Sequence, residues 1–201
     1  MGIFKIKSKE NDAPFIIGIC GKSCSGKSRV TRKIEERFKD AVCRINSDRF
    51  FKVYDVAELN RTNGWESPNS IRFDRLIYSV KKLKSGKSTH IPSQGWTENF
   101  DQEIYPKKIV IVEGYLIFTN KELVDLFDLK IFVDVSDINI LYRRIKREGN
   151  IECVDYTMEK VIPIGSKYEK LQRNYADIII DGNKSKEDVL KETEKIIKKY
   201  L

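Results

Sequence analysis

Short apolar runs and amphipathic segments alternate along the chain. The apolar runs are rich in β-branched residues, and they have the lengths typical of strands buried on both faces of a parallel sheet. These runs are FIIGIC (15–20), AVCRIN (41–46), IVIV (109–112), LKIFVDV (129–135) and ADIIID (176–181). Each run is therefore predicted to form one strand of a common sheet.

The segments between these runs carry apolar residues at every third or fourth position, as one face of a helix requires. Val30, Ile34 and Phe38 show this spacing after the first run. Comparable patterns occupy residues 28–38, 72–86, 137–150, 156–175 and 185–200. Pro163 predicts a break in the fourth of these helices, and Ser185 predicts an N-terminal cap for the last.

Strands that alternate with helices from end to end predict an α/β fold, a three-layer sandwich with a five-stranded parallel sheet. The chain has 201 residues and no visible linker or repeat, so we expect a single domain over 1–201. Two stretches, 51–71 and 88–107, show no regular pattern. Long loops in a compact α/β domain are usually functional, so both are candidates for binding insertions.

The chain is basic, with a formal net charge of +8 and a pI near 9.2. Such a balance suits a protein that binds nucleic acid or one that binds a polyphosphate. The lysines are scattered, and the small excesses in VKKLKSGK and EKIIKKY are typical of solvated helix faces. Neither an RNA-binding pattern of interleaved aromatic and basic residues nor a recognition-helix pattern occurs, so no stable nucleic-acid complex is expected.

Cysteine and histidine content excludes several kinds of site. Cys20, Cys24, Cys43 and Cys153 are expected to be free thiols, and His90 is the single histidine. A structural zinc site and a Ser-His-Asp system are therefore not expected. No apolar run of 18 residues and no signal-peptide pattern is present, so the expected location is the cytoplasm, with no membrane partner.

The segment GKSCSGKS (21–28) matches the P-loop pattern and lies between a predicted strand and a predicted helix. Gly21 and Gly26 allow the backbone amides to point at phosphate oxygens, Lys27 supplies a cation, and Ser28 offers a hydroxyl to Mg²⁺. The pattern predicts a P-loop NTPase-type sandwich that uses ATP and Mg²⁺. The predicted nucleotide-binding residues are Gly21, Lys22, Ser23, Cys24, Ser25, Gly26, Lys27, Ser28 and Arg29.

Two carboxylates follow predicted strands at the edge where ligands of parallel sheets bind. Asp48 comes after the second strand and could take a proton from an attacking hydroxyl, or it could only cap the next turn. Glu113 ends the IVIVEG strand and could hold Mg²⁺ with Ser28, or it could be a solvent-exposed strand end. A GTPase is disfavoured because NKEL (120–123) ends in Leu123 where the base-reading element needs Asp.

A series of motifs resembles the uridine kinase / phosphoribulokinase family of P-loop kinases over about residues 14–182. In order, they are GKSCSGKS, INSDRFFK, WESPNSIRFDRL, LKSGKSTHIP, YPKKIVIVEGYLIF, VDLFDLKIFVDV, YRRIKRE and YADIII. The resemblance implies transfer of the γ-phosphoryl group of ATP to the 5′-hydroxyl of a nucleoside, as in uridine-cytidine kinases. Nicotinamide riboside kinases are close relatives that share an Asp followed by paired phenylalanines.

The resemblance also implies roles for residues of the acceptor site. Asp48 would be the general base, and Phe50 and Phe51 would line the pocket. Glu66 falls where the family usually has an Asp that binds the ribose diol. Trp65 resembles the riboside kinase pattern more than the uridine kinase pattern, although simple packing would also explain it.

A departure from the family follows IP (91–92), where a Tyr-Asp-Phe run and a His that contact the base are replaced by SQGWTEN. The Gln94 amide could hydrogen-bond the edge of a base, and Trp96 could stack on the ring of the base. Alternatively, both residues could lie on a loop surface. The pyrimidine specificity is therefore open at this point, whereas the phosphate chemistry is well supported.

The resemblance further implies a lid at about 143–160 whose arginines reach over the transferring phosphoryl group. Arg143, Arg144 and Arg147 are the candidates, and a solvated basic helix is the alternative. Arg143 and Arg147 lie four positions apart on one helix face, and together with Lys27 and Asp48 they form the predicted catalytic set.

The leading interpretation is a uridine/cytidine kinase-like enzyme that acts on a small nucleoside-like substrate. A nicotinamide riboside kinase, or a kinase of another small alcohol such as pantothenate, is the alternative. A nucleotide-binding regulator without kinase turnover is a third class that the charge permits. The sequence leaves homo-oligomerisation open.

Overall fold

The computed structural model describes residues 13–52, 66–95, 98–149, 151 and 153–201. Two predicted acceptor-site residues, Trp65 and Trp96, lie outside these described residues. Their interpretations therefore stay predictions.

The centre of the fold is a parallel five-stranded sheet with the order β2-β5-β1-β6-β7. Its strands are β1 (Phe15–Cys20), β2 (Val42–Asn46), β5 (Ile109–Gly114), β6 (Leu129–Asp134) and β7 (Ile178–Asp181). All five predicted strands are confirmed, with ends shifted by at most two residues. The middle position of β1 explains its apolar sequence, because it is paired on both sides and covered on both faces.

The helices cover both faces of the sheet. They are α1 (Lys27–Arg37), α2 (Phe73–Lys84), α3 (Lys121–Val124), α4 (Asp137–Glu148), α5 (Cys153–Tyr156), α6 (Ile162–Tyr175) and α7 (Lys186–Ile197). Ile17 and Ile19 of β1 point into one core layer with Ile34 of α1, whereas Ile16 points into the opposite layer with Leu76 of α2. This alternation produces the predicted three-layer α/β sandwich.

The helical region after α4 changes its geometry instead of breaking. A π-helical segment, Thr157–Val161, follows α5 and leads directly into α6 at Ile162. Pro163 is the second residue of α6, directly after the π-helical segment, and it supplies no N–H to the helical hydrogen-bond ladder. The predicted break at Pro163 thus corresponds to a π-to-α junction one residue earlier.

A small antiparallel sheet lies in the stretch 88–107 that showed no regular pattern. Strand β3 (Thr89–Ile91) pairs with β4 (Gln102–Ile104). Three-residue strands are too short to show a period of two, so the sequence pattern did not predict this hairpin. The hairpin packs beside α2 and carries the loop that contains Gln94.

Candidate active site

The P-loop connects the carboxyl end of β1 to the start of α1. Gly21 is required by close packing, because a Cβ at this position would lie 2.6 Å from the Val133 carbonyl oxygen. Gly26 has a φ of +93°, which favours glycine, and Cys24 adopts a φ of +60°. Ser25 is 2% exposed, and its hydroxyl has no hydrogen-bond partner within the described ranges. These features suit a loop that is built around a phosphate group.

A serine and a glutamate meet at the first turn of α1. The Ser28 hydroxyl donates a hydrogen bond of 2.9 Å to Glu113 Oε2, and Arg44 Nη1 lies 3.0 Å from Glu113 Oε1. Glu113 is fully buried, so the solvent-exposed alternative is wrong. Burial raises the pKa of Glu113, and the nearby Lys27 cation opposes that rise.

The Ser28 hydroxyl and the Glu113 carboxylate are oxygen ligands of the kind that Mg²⁺ prefers when it is bound to ATP. Ser28 and Glu113 supply one hydroxyl and one carboxylate, and Mg²⁺ usually completes its shell with phosphate oxygens and water. In the part of the chain that the structure describes, no cluster of three or more His, Cys, Asp or Glu residues could hold a metal ion.

Asp48 lies just beyond β2, in a 3₁₀ turn formed by Ser47–Phe50. Its backbone N–H donates a hydrogen bond of 2.8 Å to Asn46 Oδ1, so Asn46 caps this turn. Asn46, and not Asp48, is therefore the capping residue of this turn. Asp48 is exposed and lines two neighbouring clefts.

The two clefts share Ser23, Lys27, Asp48 and Arg147 as lining residues. The cleft on the nucleotide side has a volume of about 560 Å³ and runs along the P-loop to Lys184 on the far side. The cleft on the acceptor side has a volume of about 640 Å³. Its further lining residues include Phe51, Glu66, Gln94, Tyr115, Arg144 and Tyr156. The shared wall places Asp48 and Lys27 between a phosphate-binding loop and a second binding space.

The acceptor cleft contains a buried carboxylate, since Glu66 is only 6% exposed. Burial raises the pKa of Glu66, and the nearby Arg144 and Lys27 cations oppose that rise. Burial and the Glu66 charge also raise the pKa of Tyr156, to about 12. Neither tyrosine was predicted from the sequence, although Tyr115 is only two residues beyond Glu113.

Phe51 and Gln94 line the acceptor cleft, and their roles in substrate binding stay predictions. Phe50 does not line it, because its side chain is fully buried and packs edge-on against Phe100, with ring centroids 6.1 Å apart. The prediction that Phe50 lines the pocket is therefore wrong.

The side chain of Lys22 does not point at the phosphate-binding space. Its Nζ lies 2.8 Å from both Asp137 Oδ1 and Glu169 Oε2, and the residue is 7% exposed. Burial works against the charge, but the hydrogen bonds to both carboxylates raise the pKa of Lys22. Lys22 can contribute its backbone to a nucleotide site, while its ammonium joins α4 and α6.

The three arginines of α4 have different surroundings. Arg143 donates hydrogen bonds to the carbonyl oxygens of Cys24 and Ser25, both at 3.3 Å, and to that of Gly182 at 2.7 Å. Arg144 lines the acceptor cleft, and Arg147 lines both clefts. Arg143 therefore stabilises the P-loop backbone, whereas Arg144 and Arg147 line the acceptor cleft.

The sequence model of the phosphoribulokinase / uridine kinase family matches residues 16–188, which is most of the chain. The chain belongs to this family. A uridine kinase of Chlamydia pneumoniae is 34% identical over 183 residues, which cover 84% of this chain and 82% of that protein. A uridine kinase of Clostridium novyi is 34% identical over 190 residues, which cover 86% of this chain and 90% of that protein.

Solved structures agree with the phosphoribulokinase / uridine kinase fold. A structure described as a possible uridine kinase from Bacillus stearothermophilus has a TM-score of 0.52 at 18% identity, covering 86% of this chain and 91% of that chain. The shikimate kinase of Acinetobacter baumannii has a TM-score of 0.55 at 16% identity, and the match covers 92% of this chain and 94% of that chain. At these identities the likeness shows the P-loop kinase fold alone.

Within the described residues, no helix has the length and apolar character needed to cross a membrane.

Proposed function

We propose that this protein is an ATP-dependent nucleoside kinase of the uridine/cytidine type that phosphorylates the 5′-hydroxyl of its acceptor. The observation that carries the proposal is the position of Asp48. This carboxylate lies on the wall common to a P-loop cleft and a second cleft, in a chain whose curated relatives are named uridine kinases.

The donor half of the site is supplied by the P-loop and β5. Lys27 and the loop amides would hold the β- and γ-phosphates, with the buried Ser25 hydroxyl as a further donor. Ser28 and Glu113 would hold Mg²⁺. When bound, this ion would neutralise charge on the phosphate oxygens.

Asp48 would orient the acceptor hydroxyl and accept its proton as the oxygen attacks. Arg144 and Arg147 would stabilise the negative charge that spreads over the transferring group, because guanidinium groups bind such oxygens well. Arg143 would act indirectly by bracing the loop backbone. The role of 143–160 as a lid is part of this proposal.

The acceptor half would recognise a ribose and a ring. Glu66, which lines the cleft with Tyr115, would accept hydrogen bonds from two ribose hydroxyls. Gln94 offers an amide for a base edge, and Phe51 offers an apolar wall. Cytoplasmic location stays a prediction.

An acceptor screen tests this function. The purified protein is incubated with ATP, Mg²⁺ and uridine, cytidine, nicotinamide riboside or pantothenate, and products are identified by mass. We expect monophosphates of uridine and cytidine, formed about 10²-fold more slowly in a parallel reaction with Asp48→Asn. Exclusive phosphorylation of nicotinamide riboside or pantothenate would instead support the alternative acceptor, and absence of any product would refute the kinase proposal.

A further inference from the structure

A third cleft lies between α2 and the β3–β4 hairpin, apart from the proposed active site. It has a volume of about 360 Å³. None of the described residues that line it also lines the nucleotide cleft or the acceptor cleft. The proposed kinase reaction therefore gives this space no role.

One wall of this cleft carries two cations on a single stripe of α2. Arg75 and Lys82 are seven positions apart, which places them on the same helix face two turns from each other. The Arg75 guanidinium lies 5.8 Å from the centroid of the Phe100 ring, and Lys82 Nζ lies 5.4 Å from that of Tyr78. These ring contacts hold both charges at the wall of the cleft.

The opposite wall offers hydroxyl donors and a histidine from β3 and the residue before it. Thr89 is 5% exposed, and its hydroxyl has no hydrogen-bond partner among the residues that the structure describes. A buried hydroxyl without a partner is costly, and a ligand oxygen would satisfy it. Ser88 and His90 flank Thr89 on the same wall.

Carboxylates near the cleft do not cancel its charge. Asp74 forms only a long, exposed contact of 3.7 Å with Arg75. Glu103 lies opposite His90 in the hairpin and accepts a hydrogen bond of 2.8 Å from the Tyr105 hydroxyl. Neither carboxylate lines the cleft, although Glu103 interacts with the lining residues Ser88 and His90. The donors that the cleft presents are therefore the Arg75 guanidinium, the Lys82 ammonium and the Thr89 hydroxyl. This donor set suits the oxygens of a phosphoryl group.

We propose that this cleft binds the phosphoryl group of a small molecule at a site distinct from the active site. Phe100 forms part of its wall and packs edge-on against Phe50, which lies two residues from Asp48. An occupant would thus contact a side chain that supports the catalytic turn. The proposal does not depend on the identity of the kinase acceptor.

Residue-resolved NMR tests the site. Inorganic phosphate and glycerol 3-phosphate are titrated separately into ¹⁵N-labelled protein at low salt, and the amides of Ser88, Thr89 and His90 are followed. We expect saturable shifts there that are separate from those of Gly26 and Lys27 in the P-loop. The P-loop shifts also serve as an internal check that each variant is folded.

Two variants and a matched control make the test specific. The double variant R75Q/K82Q should weaken phosphate binding at the cleft by about tenfold or more, because charge-assisted hydrogen bonds are lost. Thr89→Val should weaken it as well. The control K191Q/K195Q removes the same charge from α7 and should leave the affinity unchanged.

Several results would overturn the proposal. Shifts confined to the P-loop would show that the cleft binds no phosphoryl group. Equal weakening in both double variants would mean that only overall charge matters. A single-stranded RNA oligonucleotide that shifts the same amides at lower concentration than either small probe would assign the surface to nucleic acid.

Discussion

The guanidinium of Arg44 holds the carboxylate of Glu113 from the side opposite the P-loop. Arg44 Nη1 lies 3.0 Å from Glu113 Oε1, and Arg44 Nε lies 3.2 Å from Glu35 Oε2. Because Ser28 donates to the other oxygen of Glu113, the carboxylate is fixed from two directions. Arg44 is thus a positioning residue for the proposed metal site.

Arg44→Lys should raise the Mg²⁺ concentration needed for half-maximal turnover by about tenfold, since lysine cannot reproduce the two-sided guanidinium contact. Mg²⁺-dependent stabilisation of the ADP complex, measured by thermal shift, should weaken in parallel. Arg32→Lys, on an exposed position of α1, is the control. An unchanged Mg²⁺ requirement in the Arg44 variant would remove this residue from the metal site.

Asp48→Asn should reduce turnover by about 10²-fold or more, the size of a general-base effect. Nucleotide binding should persist, because the P-loop contacts do not involve this carboxylate. Steady-state kinetics and titration with a fluorescent ATP analogue measure the two quantities separately. Near-normal turnover in this variant would contradict the proposed role.

Arginine variants of α4 should separate into two kinetic classes. Arg143→Gln should raise the KM for ATP by about tenfold, because the P-loop backbone loses charge-assisted hydrogen bonds. Arg144→Gln should lower kcat by about tenfold or more with little change in the KM for ATP, as expected for stabilisation of transition-state charge. If both variants affected only the KM for ATP, the proposed role of Arg144 would be wrong.

Glu66→Gln should stabilise the free protein near neutral pH while weakening acceptor binding. Burial raises the pKa of Glu66, so the folded state retains a proton that the unfolded state has released. Stability should therefore fall as the pH rises above the ordinary glutamate value near 4.5, through the raised pKa of the folded state. Urea unfolding at several pH values should show this loss in the parent protein and less of it in Glu66→Gln. Glu159→Gln, at an exposed position, should keep the parent profile.

Lys22→Met should lower the free energy of unfolding by about 2 kcal/mol. Breaking a buried ion pair typically costs more, but Asp137 is half exposed and solvent screens part of the effect. For a chain of this size the melting temperature should drop by about 4–8 °C. Lys167→Met, on the same helix as Glu169, is the control. A drop no larger than that of the control would show that the ion pairs contribute little.

The sequence predicted those parts of the site that depend on residue types and their spacing within one short segment. The P-loop, Glu113 and the strands were predictable because their residue types and spacing are dictated by phosphate geometry and by burial on both faces. Asp48 could be placed at the correct edge because parallel strands end together. Phe50 and Phe51 could not be told apart, since which ring turns inward depends on the 3₁₀ turn between β2 and the loop.

Contacts between distant segments were beyond the sequence. Lys22 pairs with residues more than 100 positions away, and Arg143 reaches the P-loop from α4. Tyr156 of α5 lines the acceptor cleft together with Asp48, which lies more than 100 positions earlier in the chain. Such contacts follow from helix packing, which no local pattern encodes.

The ion pairs of Lys22 also constrain how the proposed lid could close. Asp137 begins α4 and Glu169 lies within α6. The Lys22 ammonium, near the start of the P-loop, therefore forms ion pairs with both of the helices that flank the proposed lid. Any swing of the lid would have to pivot about these ion pairs, with the largest displacement at the end farthest from them. Closure of the lid would then be a rotation about the Lys22 ion pairs, next to the P-loop. The part of the lid nearest to these pairs would keep its distance from the bound nucleotide.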